Sequence, residues 1–183
     1  MNHAWRCVLL CRLPDCANCL TDDILKEDEP MNIRPTKLDD IADLQKVLDG
    51  TELFPSEMLP DMVAGFLEHD DGSEIWLTHE SAGQAIGFCY AVPEQLAEGA
   101  WNMLAIAVLP IEQGNGCGGA IVKHLEEMLR TREQRILIAD TSGSEEFGPT
   151  RAFYRQNGYA EEARIRDFWA TGDDKIVFWK SLT

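Results

Sequence analysis

The chain has 183 residues, of which 45% are hydrophobic and 26% charged, an ordinary composition for one globular domain and not that of a disordered chain. Its 32 acidic against 16 basic residues give a formal net charge of -16, which argues against a nucleic-acid partner because such proteins carry a basic face. No apolar run approaches the ~20 residues needed to span a bilayer, and Val8-Leu9-Leu10 is cut off by Arg12 and Pro14, too short for a signal-peptide core.

Residues 1–30 show neither helical nor alternating periodicity and end in the acidic stretch Lys26-Glu27-Asp28-Glu29-Pro30. They read as a disordered or non-native extension, with a translation start expected at Met31 and a single domain over 31–183. Cys7, Cys11, Cys16 and Cys19 crowd into this leader. Cys16-x-x-Cys19 has the spacing of half a zinc knuckle. However, the two cysteine pairs stand too close together for the usual intervening loop, and no metal site is expected. Without a secretion signal the thiols are expected to be reduced, in a cytoplasm.

From Met31 the pattern is regular. Asn32 to Pro35 reads as a short strand. Asp39 or Asp40 can cap a helix that carries Ile41, Leu44, Val47 and Leu48 inward and ends at Gly50. A second helix is expected over Glu57 to Glu68, with Met58, Met62, Phe66 and Leu67 making apolar contacts. After the turn Asp70-Asp71-Gly72-Ser73, Glu74 to Glu80 and Ala85 to Val92 form a hairpin around Ser81-Ala82-Gly83-Gln84. Trp101 to Leu109 is a continuous apolar strand, buried on both sides.

Past Pro110 and a glycine turn, a helix to about Arg130 presents Ile121, Val122, Leu125 and Leu129. A short strand Ile136 to Ala139, a short helix Pro149 to Gln156 and two strands, Tyr159 to Phe168 and Lys175 to Ser181, complete the order β-α-α-β-β-β-α-β-α-β-β. The fold class is mixed α/β.

Four glycines, at 114, 116, 118 and 119, stand at the start of a helix. Backbone N–H groups there point into open space at the positive end of the helix dipole, a natural seat for a phosphate. Gly114-x-Gly116-x-x-Gly119, with Asp140 about 20 residues on, formally matches the dinucleotide fingerprint. Against that match, Pro110 to Gln113 separate the glycines from the preceding strand, and the 64 residues after Gly119 hold no further βαβ units.

Read as Gln113-x-x-Gly116-x-Gly118, the same turn resembles the acyl-CoA pyrophosphate loop of the GNAT superfamily of N-acyltransferases. The resemblance spans Asn32 to Leu182. It includes the strand Leu104 to Val108 with the proline after it, and the stretch Thr150 to Tyr159, similar to the family's final-helix signature. It implies a GNAT-like fold, a mostly antiparallel central sheet with splayed strands flanked by helices. It implies acetyl-CoA as co-substrate, its pyrophosphate held by the backbone of Gln113, Gly114, Asn115, Gly116, Cys117 and Gly118. The pantetheine arm would lie along Leu104, Ile106 and Val108, with Phe153 as a wall. The basic residue the family often carries in this loop is missing at Asn115-Gly116-Cys117.

Acetyl transfer needs a neutral amine, a polarised carbonyl and a proton for the departing thiolate. The resemblance makes Tyr154 the general acid, since a phenol of pKa ~10 protonating a thiolate of pKa ~8.5 is uphill by only ~2 kcal/mol. An oxyanion contact is expected from a backbone N–H near Ile106 or Val108. Glu98, Asp140 and Glu74 lie near expected strand ends and are the candidate bases. The expected acceptor is a small-molecule or peptide amine, attacking directly in a ternary complex. No membrane partner is expected, and the protein would be a monomer or homodimer. The other reading of the same fold is a non-catalytic acyl-CoA sensor. The tail Arg164-Ile165-Arg166-Asp167-Phe168-Trp169 followed by Gly172-Asp173-Asp174-Lys175 resembles that of a subset of bacterial members. There Trp169, Asp167 and Asp173 either form an amine-accepting lip or serve the hairpin turn.

Overall fold

The computed structural model describes residues 32–69 and 72–183; the leader cysteines, Met31 and the first half of the Asp70-Asp71-Gly72-Ser73 turn lie outside the described residues. The chain runs β1 (Asn32–Pro35), α1 (Ile41–Thr51), α2 (Leu59–Glu68), β2 (Ile75–Ser81), β3 (Gln84–Pro93) and β4 (Ala100–Val108). It continues through α3 (Cys117–Thr131), β5 (Ile136–Ser142), α4 (Gly148–Gln156), β6 (Ala160–Ala170) and β7 (Asp173–Ser181). The element order is the expected one. The seven strands form one sheet in the order β1-β2-β3-β4-β5-β7-β6. Its one parallel pair is β4 with β5; every other pair is antiparallel. A dinucleotide fold needs a parallel sheet of repeated βαβ units, so that reading is excluded.

Two apolar layers sandwich the sheet. On one face α3 packs Ile121, Val122, Leu125 and Leu129 against Leu77, Cys89, Met103, Ile106 and Leu137, with Tyr154 of α4 joining the same cluster. On the other face α1 and α2 bring Leu44, Val47, Leu48, Leu59 and Val63 onto Trp76, Phe88, Ala105 and Ala107. That second layer covers β2 to β4 only, so β5, β7 and β6 keep an open face. The edge strand β6 exposes nearly every side chain.

Several local expectations are corrected. Gly50 does not end α1; Glu52 does, in a left-handed conformation. Gly50 serves close approach instead, because a Cβ there would stand 3.0 Å from the Pro110 ring. Asp40 gives α1 no side-chain cap. Its carboxylate takes both Arg34 guanidinium nitrogens, at 2.7 and 2.8 Å, and the Lys37 N–H at 2.8 Å. In α2 the buried pair is Leu59 and Val63, one turn apart, while Met62, Phe66 and Leu67 are half-buried. Strand β5 extends to Ser142 because β7 runs beside it, pairing Asp140 with Val177, Thr141 with Ile176 and Ser142 with Lys175. Asp140 therefore lies within the strand. Among the described residues no helix is long and apolar enough to cross a membrane. None of them forms a group of three His, Cys, Asp or Glu able to hold a metal ion.

His79 on β2 is buried, and its Nδ1 has no hydrogen-bond partner. Burial holds it below the ordinary histidine range, opposed by the pull of Glu112. The unfolded chain takes up this proton below about pH 6.5 and the folded chain resists it, so folding stability falls as pH drops through that value. Replacing His79 with Leu is expected to flatten the acid side of the stability profile, read by urea denaturation between about pH 5 and 7.

Candidate functional site

Strands β4 and β5 pair only from Ala100 with Ile136 to Met103 with Ala139. Beyond that point β5 follows β7 and β4 follows β3, so a gap opens between them. At the parting point β4 carries a bulge. Ala91 pairs with Met103 and Tyr90 with Ala105, leaving Leu104 with no residue opposite. The bulge shifts the side-chain alternation, so that Met103, Ile106 and Val108 share the α3 face while Ala105 and Ala107 face α1. Leu104, which the resemblance set beside Ile106 and Val108, therefore falls out of step with them.

The Leu109 N–H donates to the Ile86 carbonyl at 2.8 Å. Antiparallel parity then turns the backbone groups of Leu109, Ala107 and Ala105 toward β3 and those of Ile106 and Val108 into the gap. The Val108 carbonyl is met by the Gln113 side-chain amide at 3.0 Å, which anchors the start of the glycine turn to the strand.

The four turn glycines have two different jobs. Gly114 and Gly116 both have φ of +82°, with open space where a Cβ would stand, so they are needed for backbone conformation. Gly118 and Gly119 are needed for space: a Cβ would lie 3.2 Å from the Phe153 ring and 3.2 Å from Asn157 Oδ1. The first pair bends the chain so that Gly116 caps α3 and leaves the first-turn N–H groups, those of Gly118 and Gly119 among them, without helical acceptors. The second pair lets α4 close against α3. Arg151 holds α4 to the end of β5, donating to the Ser142 and Ser144 carbonyls at 2.7 Å each.

Between these elements lies a cleft of about 580 Å³. Of the expected residues it brings together Val108, Gln113, Gly114, Gly116, Cys117, Gly118 and Phe153. It adds Gly119, Asn157 and one face of α4, namely Pro149, Ala152 and Gln156 beside Phe153. That face has helical spacing and was readable in the sequence once α4 was known to meet the glycine turn. Among the described residues no Lys or Arg lines the cleft. Asn115 is not among the lining residues; its side-chain amide donates to Glu112 at 3.4 Å. Leu104 and Ile106 lie further along the gap. Tyr154 is fully buried behind the cleft wall, its ring against Phe153, Tyr159 and Phe178 at 5.5, 5.7 and 5.0 Å between centroids.

The candidate bases separate. Glu98 precedes β4 while the cleft meets its other end at Val108, a strand of nine residues and roughly 30 Å away. Glu98 is therefore not brought to the site. Asp140 is, as the first β5 residue past the last β4 pair, on the sheet's open face. One oxygen, Oδ2, meets Lys175 Nζ at 2.5 Å, and the other, Oδ1, is buried without a hydrogen-bond partner. Glu74 stands across the bulge, accepting from Trp76 Nε1 at 3.3 Å. The Tyr90 hydroxyl also bonds to Glu74, and burial, with that negative charge, pushes Tyr90 up to about 12. Tyr90 has no sequence signal of its own, and Lys175 has only its place in the Gly172-Asp173-Asp174-Lys175 tail; register puts both beside the bulge.

Asp167 and Asp173 serve the hairpin. Asp167, at φ of +53°, accepts the Gly172 N–H at 2.6 Å, while Asp173 is buried and takes the Ser142 hydroxyl. The lip reading fails for these two acids.

A family model described as an acetyltransferase (GNAT) domain matches residues 71–161. Among solved structures, the chain is similar to a putative acetyltransferase of the GNAT family from Desulfovibrio desulfuricans. The two share 26% identity over 84% of this chain and 99% of that one, with a TM-score of 0.78. It shares its fold with an aminoglycoside 6'-N-acetyltransferase complexed with coenzyme A (16% identity, 84% and 98% covered, TM-score 0.68). The same holds for the ribosomal-protein-S18-alanine N-acetyltransferase from Escherichia coli (18%, 83% and 94%, 0.67). Among curated proteins the sequence has no significant match.

The division among the glycines is testable. Gly116→Ala is expected to lower stability by about 1–2 kcal/mol through left-handed strain alone. Gly118→Val should do so by displacing Phe153, and Phe153→Ala should partly rescue it. Chemical denaturation of the two single variants and the double variant measures both.

Proposed function

This chain belongs to the GNAT superfamily of N-acetyltransferases and uses acetyl-CoA as co-substrate, and we propose that it acetylates an amine by direct attack in a ternary complex. The observation carrying this reading is the unpaired β4 edge at Ile106 and Val108, leading straight into the N–H groups of the glycine turn. In this reading the backbone from Gln113 to Gly118 holds the pyrophosphate at the α3 N-terminus. The pantetheine amides pair with Ile106 and Val108 as a strand would. Phe153 and the α4 face close the wall. The Ile106 N–H faces the thioester carbonyl oxygen and stabilises the charge that develops there.

The acceptor enters from the open face of the sheet, between Glu74 and Tyr90 on one side and Asp140 and Lys175 on the other. Asp140 takes the ammonium proton, directly or through a water. The Tyr154 hydroxyl returns a proton to the leaving thiolate once the wall has adjusted around the bound arm. Related folds that act on an aminoglycoside and on a ribosomal-protein alanine support an amine acceptor, small molecule or peptide. The overall charge of -16 favours one that is cationic.

Tyr154→Phe and Asp140→Asn are each expected to lower kcat on the order of 10²-fold while KM for acetyl-CoA changes little, because neither group holds the donor. Steady-state thiol release with an accepted amine measures both. Unchanged kcat in either variant removes that residue from the mechanism.

The cation-free cleft makes a separate prediction. Asn115→Arg should tighten acetyl-CoA binding by up to about fivefold at low salt, on the order of 1 kcal/mol, and the gain should fade as salt screens it. Calorimetric titration at two ionic strengths reads the effect.

A further inference from the structure

Lys175 places a primary amine beside the gap where the two central strands part. It lies on β7 opposite Ser142 and reaches back to Asp140, the first β5 residue beyond the last β4 pair. The Leu104 bulge stands on the other side of that opening. Ile106, whose N–H faces the gap, is two residues further along β4, about 7 Å at ~3.3 Å per residue. The other lysines among the described residues differ. Lys180 is tied to Glu126 at 2.8 Å on α3, and Lys37, Lys46 and Lys123 are exposed on the surface.

The surroundings of Lys175 are unusual for a surface ion pair. Its side chain is only 18% exposed. The rings of Phe168 and Trp169 stand 4.9 and 6.0 Å from its nitrogen, and Trp169 is held by its indole N–H to the Thr141 carbonyl at 3.4 Å. A shielded pair of this kind contributes little that apolar packing would not. What it does supply is an amine, a carboxylate in contact with it, and shelter from water at one place.

We propose that Lys175 is an internal acetyl acceptor, so that the protein transfers an acetyl group from acetyl-CoA to its own Lys175 Nζ. This rests on the site reading above, with the thioester lying along the Ile106 edge. The ammonium first gives one proton to Asp140. The neutral Nζ then attacks the thioester carbonyl carbon; the C–N bond forms, the C–S bond breaks, and the second nitrogen proton passes to the leaving thiolate. The products are an N-acetyl-lysine, free CoA thiol and a proton released from Asp140 to solvent. Acetylation removes the lysine's charge and with it the ion pair to Asp140, freeing that carboxylate on the acceptor side.

The test uses the full chain and acetyl-CoA with no added amine, sampled over time by peptide mass spectrometry. Lys175 is expected to be acetylated at least about tenfold faster than exposed Lys46 and Lys123 in the same sample. The rate should be independent of protein concentration, as an internal reaction requires. Lys175→Arg should abolish that modification without raising the others, and Asp140→Asn should slow it. An unmodified Lys175, a rate no faster than that of Lys46, or a rate rising with protein concentration overturns the proposal. Thermal stabilisation by acetyl-CoA is read in parallel. If acetyl-CoA stabilises the fold and external amines release thiol while Lys175 stays unmodified, the internal acceptor falls and the site reading stands. If acetyl-CoA gives no stabilisation, both fall.

Discussion

Past Met103 and Ala139 the central strand β4 has a neighbour on one side only, and the backbone groups it turns away from β3 need partners from outside the sheet. Everything around that half-strand is arranged to keep β5 from returning. Strand β5 is held by β7 as far as Ser142, and Arg151 of α4 clamps the same end through two carbonyls. On the other side Gly87 permits tight pairing, since a Cβ there would stand 2.9 Å from the Ala107 carbonyl. The bulge at Leu104 adds local twist where the strands separate. The result is a strand edge presented within a fold rather than at its rim.

The glycine turn is an extension of that edge. Gln113 ties it to the Val108 carbonyl, two left-handed glycines reverse the chain, and two further glycines bring α4 against α3. A ligand lying along the edge therefore meets backbone N–H groups in both halves of its length. Charge is divided in a complementary way. Among the described residues the cleft wall has no cation, so in the proposed reading the phosphates rest on main-chain dipoles. The carboxylates Glu74 and Asp140 and the shielded ammonium of Lys175 lie on the opposite, open face beside the bulge. In the proposed mechanism the donor and acceptor sides thus differ in both chemistry and exposure, with the parted strands between them.

Elsewhere the buried polar groups hold the frame. Glu126, nearly fully buried on α3, takes Lys180 of β7 at 2.8 Å and Arg130 at 3.2 Å, while Lys180 also donates to the Asn157 carbonyl at 2.7 Å. That network joins α3, the end of α4 and β7, and through Asn157 it reaches the cleft wall. Arg34 does the same for β1, with Asp40 and Glu80. In both places a charged side chain is a tie between elements.

The amino-acid sequence by itself determined the order of elements, the helix that follows the glycine turn, and the backbone character of that turn, because these depend on neighbours within a few residues: apolar periodicity, Pro110, and glycines where backbone sign matters. It also singled out Tyr154 and Phe153, through a local motif. It could not place Glu98 a strand's length from the cleft, nor rotate α2 onto Leu59 and Val63, nor extend β5 past Ala139, since each follows from which strand lies alongside. The bulge at Leu104 is a matter of register, visible only when Tyr90 and Ala91 are paired across it. Tyr90, Glu74, Asp140 and Lys175 come from four segments distant in sequence, and no local spacing announces their meeting. Only tertiary structure decided it, because strand pairing, which has no sequence-local signature, sets which side chains share a face.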